Sequence, residues 1–243
     1  MNDLAELLTS AERERSSPNV RPKDAATLIL VDRSGSTPKV LLGKRHHKHS
    51  FMPGKFVFPG GRVDPSDRRM PVASPLDAHA EAFLMRRTIR PSTSKARAIA
   101  LAAIRETFEE TGLLVGTKCD APVPALEGPW ADFAKAGLYP DLSSLHFIAR
   151  AITPSRRPKR FDTRFFAVDA GAIAHRIDNV VHADAELVEL VWLPISEARS
   201  LDMPAITGVA LKELEARVAA GFRHDLPVPF YHMPRSRFLR ELL

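Results

Sequence analysis

The sequence predicts an α/β domain, and three observations carry that expectation. Short apolar runs rich in Val, Ile, Leu and Phe, bounded by turn residues, read as strands. A long stretch rich in Ala, Arg, Glu and Leu, without Gly or Pro, reads as a helix between early and late strands. A second amphipathic helix follows the late strands. The chain has 243 residues, 44% of them hydrophobic, which is enough for one sizeable domain with additions.

Taken in order, Met1 to Val20 is polar and charged. A short helix around Leu4, Leu7 and Leu8 is broken at Ser16-Ser17-Pro18. Ala26 to Val31 is a buried-strand pattern, Ser34 to Pro38 a turn, and Val40-Leu41-Leu42 the return strand of a hairpin. Lys55 to Phe58 is a short strand that delivers Pro59-Gly60-Gly61, where two glycines let the backbone pass close to a neighbour. Residues 68 to 94 follow, with a helix over Asp77 to Arg87. Leu145 to Ile152, Thr163 to Val168 and Leu187 to Leu193 are further strands, Ile195 to Ser200 starts a short helix, and Ala205 to Ala219 is an amphipathic helix. Gly221 to Leu243, with Pro227, Pro229 and Pro234, is expected to be an irregular arm ending in a short turn. The expected organisation is a polar extension over 1–23, a main domain over 24–220 and a C-terminal arm over 221–243.

The central helix holds the most informative residues. From Lys95 to Phe108 it has Leu101, Ile104 and Phe108 on one stripe, with Ser94 as the expected N-cap and Gly112 suited to the left-handed position past its end. Glu106, Glu109 and Glu110 are spaced to share one side. Carboxylates crowded there repel one another unless a cation sits among them. Hard cations such as Mg²⁺ take oxygen ligands, commonly one or two carboxylates plus a substrate phosphate. Arg105 lies one turn before Glu109 and can orient it. The pattern points to a divalent-metal site for phosphate chemistry.

Arg105-Glu106-Thr107-Phe108-Glu109-Glu110-Thr111-Gly112-Leu113 resembles the second half of a Nudix box, G-x5-E-x7-R-E-U-x-E-E-x-G-U, where U is aliphatic. Thr107 departs at the first aliphatic position. Phe58-Pro59-Gly60-Gly61-Arg62-Val63-Asp64 resembles the turn that opens the box, and Asp67 stands where the family has Glu. Arg105 follows Gly61 by 44 positions, so about 30 residues are inserted relative to the family pattern. Such a split box is similar to a subgroup of Nudix hydrolases that includes the peroxisomal coenzyme A diphosphatases. The resemblance covers about residues 24 to 215. It implies an α/β/α sandwich with a mixed sheet and an insertion within the box, at about 68–94. It also implies hydrolysis of a diphosphate bond in a nucleoside diphosphate linked to another moiety, with Mg²⁺ or Mn²⁺. Arg105, Glu106, Glu109 and Glu110 would be the catalytic residues, and the three glutamates the metal ligands.

Leu41-Leu42-Gly43-Lys44-Arg45 and Gly54 to Gly61 are similar to the coenzyme A-type signature L-L-T-x-R-[SA]-x3-R-x3-G-x3-F-P-G-G. Gly43, His46 and Ser50 depart from it; Ser50 lacks the charge-assisted fork of an Arg, for which Lys48 or His49 could stand in. Arg45, Gly54, Gly60 and Gly61 are the expected substrate-binding residues, with coenzyme A or an acyl-coenzyme A as candidate substrate. ADP-ribose, dinucleoside polyphosphates and a non-catalytic nucleotide-binding regulatory domain remain alternatives. Asp184, Glu186 and Glu189 are candidates for general base or additional metal ligand. Phe51, Phe56 and Phe165 are candidates for base stacking, although at strand spacing they more often serve the core.

Composition narrows the classes. No apolar run approaches the roughly 18 residues that span a membrane, and the N-terminal stretch has no signal-peptide core. One cysteine, Cys119, excludes an internal disulfide and suits a reducing, cytoplasmic compartment, with a semi-buried, unactivated thiol as the expectation. The net charge of +6 suits a polyanionic small substrate. The basic runs at Lys44 to His49, Arg156 to Arg160 and Arg235 to Arg240 lack the aromatic interleaving of single-strand binding, which argues against nucleic acid. A homodimer is left open.

Overall fold

The structure is a computed structural model that describes residues 3–11, 16–48, 52–119 and 127–243. Helix α1 (Asp3–Ser10) precedes the hairpin of β1 (Lys23–Asp32) and β2 (Lys39–Arg45). Two short strands, β3 (Phe56–Val57) and β4 (Gly60–Arg62), lead to a 3-10 turn at Pro65–Arg68, then α2 (Ala78–Met85) and the long α3 (Thr93–Thr111). After β5 (Leu113–Val115), β6 (Thr117–Lys118), α4 (Ala131–Ala136) and β7 (Leu138–Tyr139) come the long strands β8 (His146–Ile152) and β9 (Phe161–Asp169). The chain closes with β10 (Ile173–Arg176), β11 (Leu187–Pro194), α5 (Ile195–Ala198), α6 (Ala205–Ala219), β12 (Pro229–His232) and β13 (Leu239–Leu242).

The main sheet runs β11-β2-β1-β9-β8-β12-β13, with β3 on β2 and β4 on β1. It is mixed: β1 pairs with β9 and β12 with β8 in parallel, and the other pairs are antiparallel. Alternation along β1 explains the layers. Leu28 and Leu30 enter one core with Ile99, Leu101 and Ile104 of α3, while Ile29 and Val31 enter a second core with Val209, Leu211 and Leu214 of α6 and Leu8 of α1. With both faces covered, β1 reads as a continuous apolar run. The result is the expected α/β/α sandwich.

Three local expectations are corrected. The α3 cap is Ser92, whose Oγ accepts from Lys95 N at 3.1 Å; extended backbone at Ser92 places the cap two residues before Ser94 and starts the helix at Thr93. The C-terminal stretch is not irregular, because β12 and β13 extend the sheet. Pro229 is the first residue of β12, where a missing N–H is tolerated, and Tyr231 is anchored to Glu213. Cys119 is exposed. Phe51 lies outside the described residues.

Residues 68–94 are built into the domain. Met70, Leu76, Ala80, Phe83 and Leu84 are all part of the α3-side core. At one end Arg97 donates to the carbonyls of Arg68 and Met70; at the other Arg150 donates to those of Arg86 (3.1 Å) and Arg87 (3.2 Å). Arg87, at φ 52°, is thereby held in the left-handed region that side chains seldom adopt. Removing the insertion would open the core, so it is a structural part of this domain as well as a neighbour of the site.

Candidate functional site

The site forms where the C-terminal half of α3 passes the turn that ends β4. Gly112, at φ 75°, stops the helix; a Cβ there would lie 2.2 Å from the carbonyl oxygen of Ile177. Thr107, where an aliphatic residue was expected, is fully buried but satisfies its hydroxyl by donating to Ala103 O at 2.8 Å. The helix thus keeps a smooth apolar contact despite the polar atom.

Arg105 organises the acids. Its Nε and Nη2 donate to Asp67 Oδ1 and Oδ2 at 2.8 and 3.2 Å, Nη1 donates to Glu106 Oε1 at 2.8 Å and Glu109 Oε2 at 2.7 Å, and Nη2 also donates to the carbonyl of Arg62 at 2.8 Å. Burial works against its charge, but the three carboxylates outweigh it and raise its pKa. Asp67 is fully buried and also accepts from Asp64 N at 2.8 Å. Both of its oxygens face Arg105 rather than the open side of the helix.

The three helix glutamates do not point one way. Glu106 and Glu109 turn to Arg105, whereas Glu110 is 7% exposed and accepts from Gly60 N at 3.3 Å. Burial is the leading cause that raises each pKa. Arg105 partly offsets it for Glu106 and Glu109, and the nearby Glu186 charge adds to it for Glu106 and Glu110. Among the described residues no three acidic, histidine or cysteine side chains close into a ready-made metal cage. The donor chemistry still fits a hard divalent cation, which needs only one or two carboxylates and a substrate phosphate. Uncompensated burial of acids is the electrostatic state that such an ion relieves.

The glycine turn is packed as closely as its residue types suggest. A Cβ on Gly60 would come within 2.5 Å of Ala26 O, and one on Gly61 within 2.4 Å of the Glu106 carboxyl. Arg45, at the end of β2, holds Glu186 at 2.7 Å, and its charge also favours ionised Glu110. Gly54 instead makes a tight turn at φ 70° against His47. Of the late acids, Glu186 bears on the carboxylates, Glu189 meets Lys44 at 3.9 Å, and Asp184 is exposed. Phe165 is core; Phe56 is half-buried beneath Lys44 Nζ, 5.7 Å from its ring centroid.

Comparison with known proteins agrees with the fold. No family model matches the chain. A solved Nudix hydrolase from Alicyclobacillus acidocaldarius superposes with a TM-score of 0.62 at 29% identity, covering 81% of this chain and 92% of that one. The fold is that of the Nudix superfamily. A curated Caenorhabditis elegans protein provisionally named nudix hydrolase 7 is 30% identical over 156 residues, 59% of this chain. The chain spans 43% of that relative's length. The segment that separates Gly60-Gly61 from the Arg105–Gly112 stretch is itself part of the core.

Sequence reasoning missed a second network on the same side of the sheet. Arg164 is fully buried and donates to Asp24 at 2.7 Å, and Arg150 grips Asp162 at 2.8 and 2.7 Å. The signal was present: each is an arginine beside apolar residues within a strand, which is costly unless paired.

Proposed function

We propose that this protein is a divalent-metal-dependent diphosphatase that hydrolyses a phosphoanhydride bond in a nucleoside diphosphate linked to another moiety, with coenzyme A or an acyl-coenzyme A as the preferred candidate substrate. The observation that carries this reading is the Arg105 hub: one buried guanidinium holds Asp67, Glu106 and Glu109 beside the Gly60-Gly61 turn. Similarity to the Alicyclobacillus acidocaldarius Nudix hydrolase supports it.

Glu106, Glu109 and Glu110 would hold Mg²⁺ or Mn²⁺. When bound, the cation neutralises phosphate charge and acidifies a water. Arg105 presents Glu106 and Glu109 at fixed orientation, so little side-chain freedom is lost when substrate arrives. Gly60 and Gly61 let β4 lie close against β1 and the Glu106 carboxylate, because a Cβ on Gly60 would meet Ala26 O and one on Gly61 the Glu106 carboxyl. Glu186, held by Arg45 at 2.7 Å, would accept the proton of the attacking water.

The test is turnover of coenzyme A, acyl-coenzyme A, ADP-ribose and nucleotide sugars with Mg²⁺ or Mn²⁺, with products resolved by chromatography. Metal-dependent release of two phosphorylated fragments, lost in Glu109→Gln and Glu110→Gln, supports the reading. Tight nucleotide binding without turnover of any of them would instead make the domain a binding module.

A further inference from the structure

Beside the Arg105 hub lies an open cleft of about 1050 Å³, walled by the start of β1, the turn after β4, the insertion and the first turns of α3. It begins at Arg105 and Glu106 and reaches Lys95 at its far end. Lys95 precedes Glu106 by eleven residues on one helix, about 16 Å along the axis at 1.5 Å per residue. No diphosphate spans that distance.

Three of the acids of this cleft are paired with cations. Asp24 meets Arg164 at 2.7 Å and Lys95 at 3.0 Å, Asp162 is held by Arg150 and Arg164, and Glu106 by Arg105. Asp64 caps the 3-10 turn through Ser66 N. Arg21, Lys23, Arg62 and Arg68 also line the cleft, are exposed, and form no ion pair among the described residues. Arg62 pairs with Ala25 in the β1/β4 ladder, Lys23 precedes that ladder in β1, and the Arg68 carbonyl is held by Arg97. Val63, Ile89 and Ile152 line the space between them, the mixture of apolar surface and cations that a phosphorylated nucleoside requires.

We infer that this cleft is a second anion site, in which Arg21, Arg62 and Arg68 bind a phosphate monoester carried by the substrate away from its scissile diphosphate. This rests on the diphosphatase reading of the Arg105 hub. It gives the insertion a specificity role, because Arg68 opens it and Ile89 lies near its end. Guanidinium groups are suited to the task, since they bind phosphate oxygens in pairs.

The experiment compares substrates that differ by one phosphate monoester: coenzyme A with its 3′-dephospho form, and NADPH with NADH. The phosphorylated member of at least one pair should have a kcat/KM about tenfold or more higher, mainly through KM, and that preference should shrink in high salt. Arg21→Ala with Arg68→Ala should bring the ratio to within about twofold, while the double lysine variant retains most of it. Ratios near one in both pairs for the wild type, or a preference that survives the alanine variant, overturn the proposal. If no member of either pair is turned over, the hydrolase reading of these substrates fails separately. Calorimetric titration of the same pairs without metal then decides the cleft by itself: tighter binding of the phosphorylated member, lost in the alanine variant, is the supporting result, and equal binding of both members is the overturning one.

Discussion

Arg105 and Asp67 are joined by two hydrogen bonds, at 2.8 and 3.2 Å, although 38 residues separate them and Asp67 has no exposed surface. The short aspartate side chain reaches the guanidinium because the 3-10 turn at Pro65–Arg68 packs directly on α3. Asp67 accepts from Asp64 N, so the turn and the helix share one buried carboxylate.

Asp67→Asn should therefore lower activity by about 10- to 100-fold, because the groups that orient metal-binding carboxylates affect function nearly as much as the ligands. Breaking a buried pair also costs roughly 3 to 5 kcal/mol. Chemical denaturation and metal titration together check this; unchanged metal affinity and turnover would remove Asp67 from its positioning role.

Glu110→Gln should stabilise the metal-free protein while it abolishes the stabilisation gained on adding Mg²⁺. Burial raises the Glu110 pKa well above 4.5 in the fold. The unfolded chain, with the ordinary value, releases its proton first, so this group's contribution to stability is lost as pH rises above about 4.5. The variant should gain on the order of 1 kcal/mol or more at pH 8 and show a flatter pH dependence, read by thermal melts without and with metal.

Gly60→Ala and Gly61→Ala should fail differently. The Gly60 substitution meets the backbone carbonyl of Ala26 and should lower stability, by roughly 1 to 3 kcal/mol for overpacking. The atoms nearest to a Gly61 substitution belong to the Glu106 side chain, which can swing aside, so the fold should persist while metal affinity falls by about tenfold or more. Paired denaturation and metal-binding measurements distinguish the two.

His146 sets an acid limit. It is stacked on His224 at 3.9 Å and lies 4.0 Å from Phe222. Burial, reinforced by His224, Arg217 and Arg33, depresses its pKa to about 3 from 6.5. Between those values the unfolded chain binds the extra proton, so stability should fall as pH drops from about 6.5 to 3. His146→Phe should remove roughly 2 to 4 kcal/mol of that loss, measured by denaturant midpoints at pH 7 and pH 4.

The sequence by itself determined the α/β class, α3 and its Gly112 stop, the β1–β2 hairpin, and the pairing of a glycine turn with an Arg-Glu-Glu helix. These are local or periodic features: strand alternation, helix composition and fixed spacing are imposed by backbone geometry over neighbouring residues. Tertiary structure decided what depends on contacts distant along the chain. It turned Asp67 inward to Arg105, split Glu110 from Glu106 and Glu109, and brought Glu186, one of the three late acids, near Glu110. It also drew the proline-bearing C-terminus into the sheet and anchored the insertion through Arg97 and Arg150. A carboxylate's role follows from which cation its burial brings within hydrogen-bonding distance, and spacing along the chain does not carry that information.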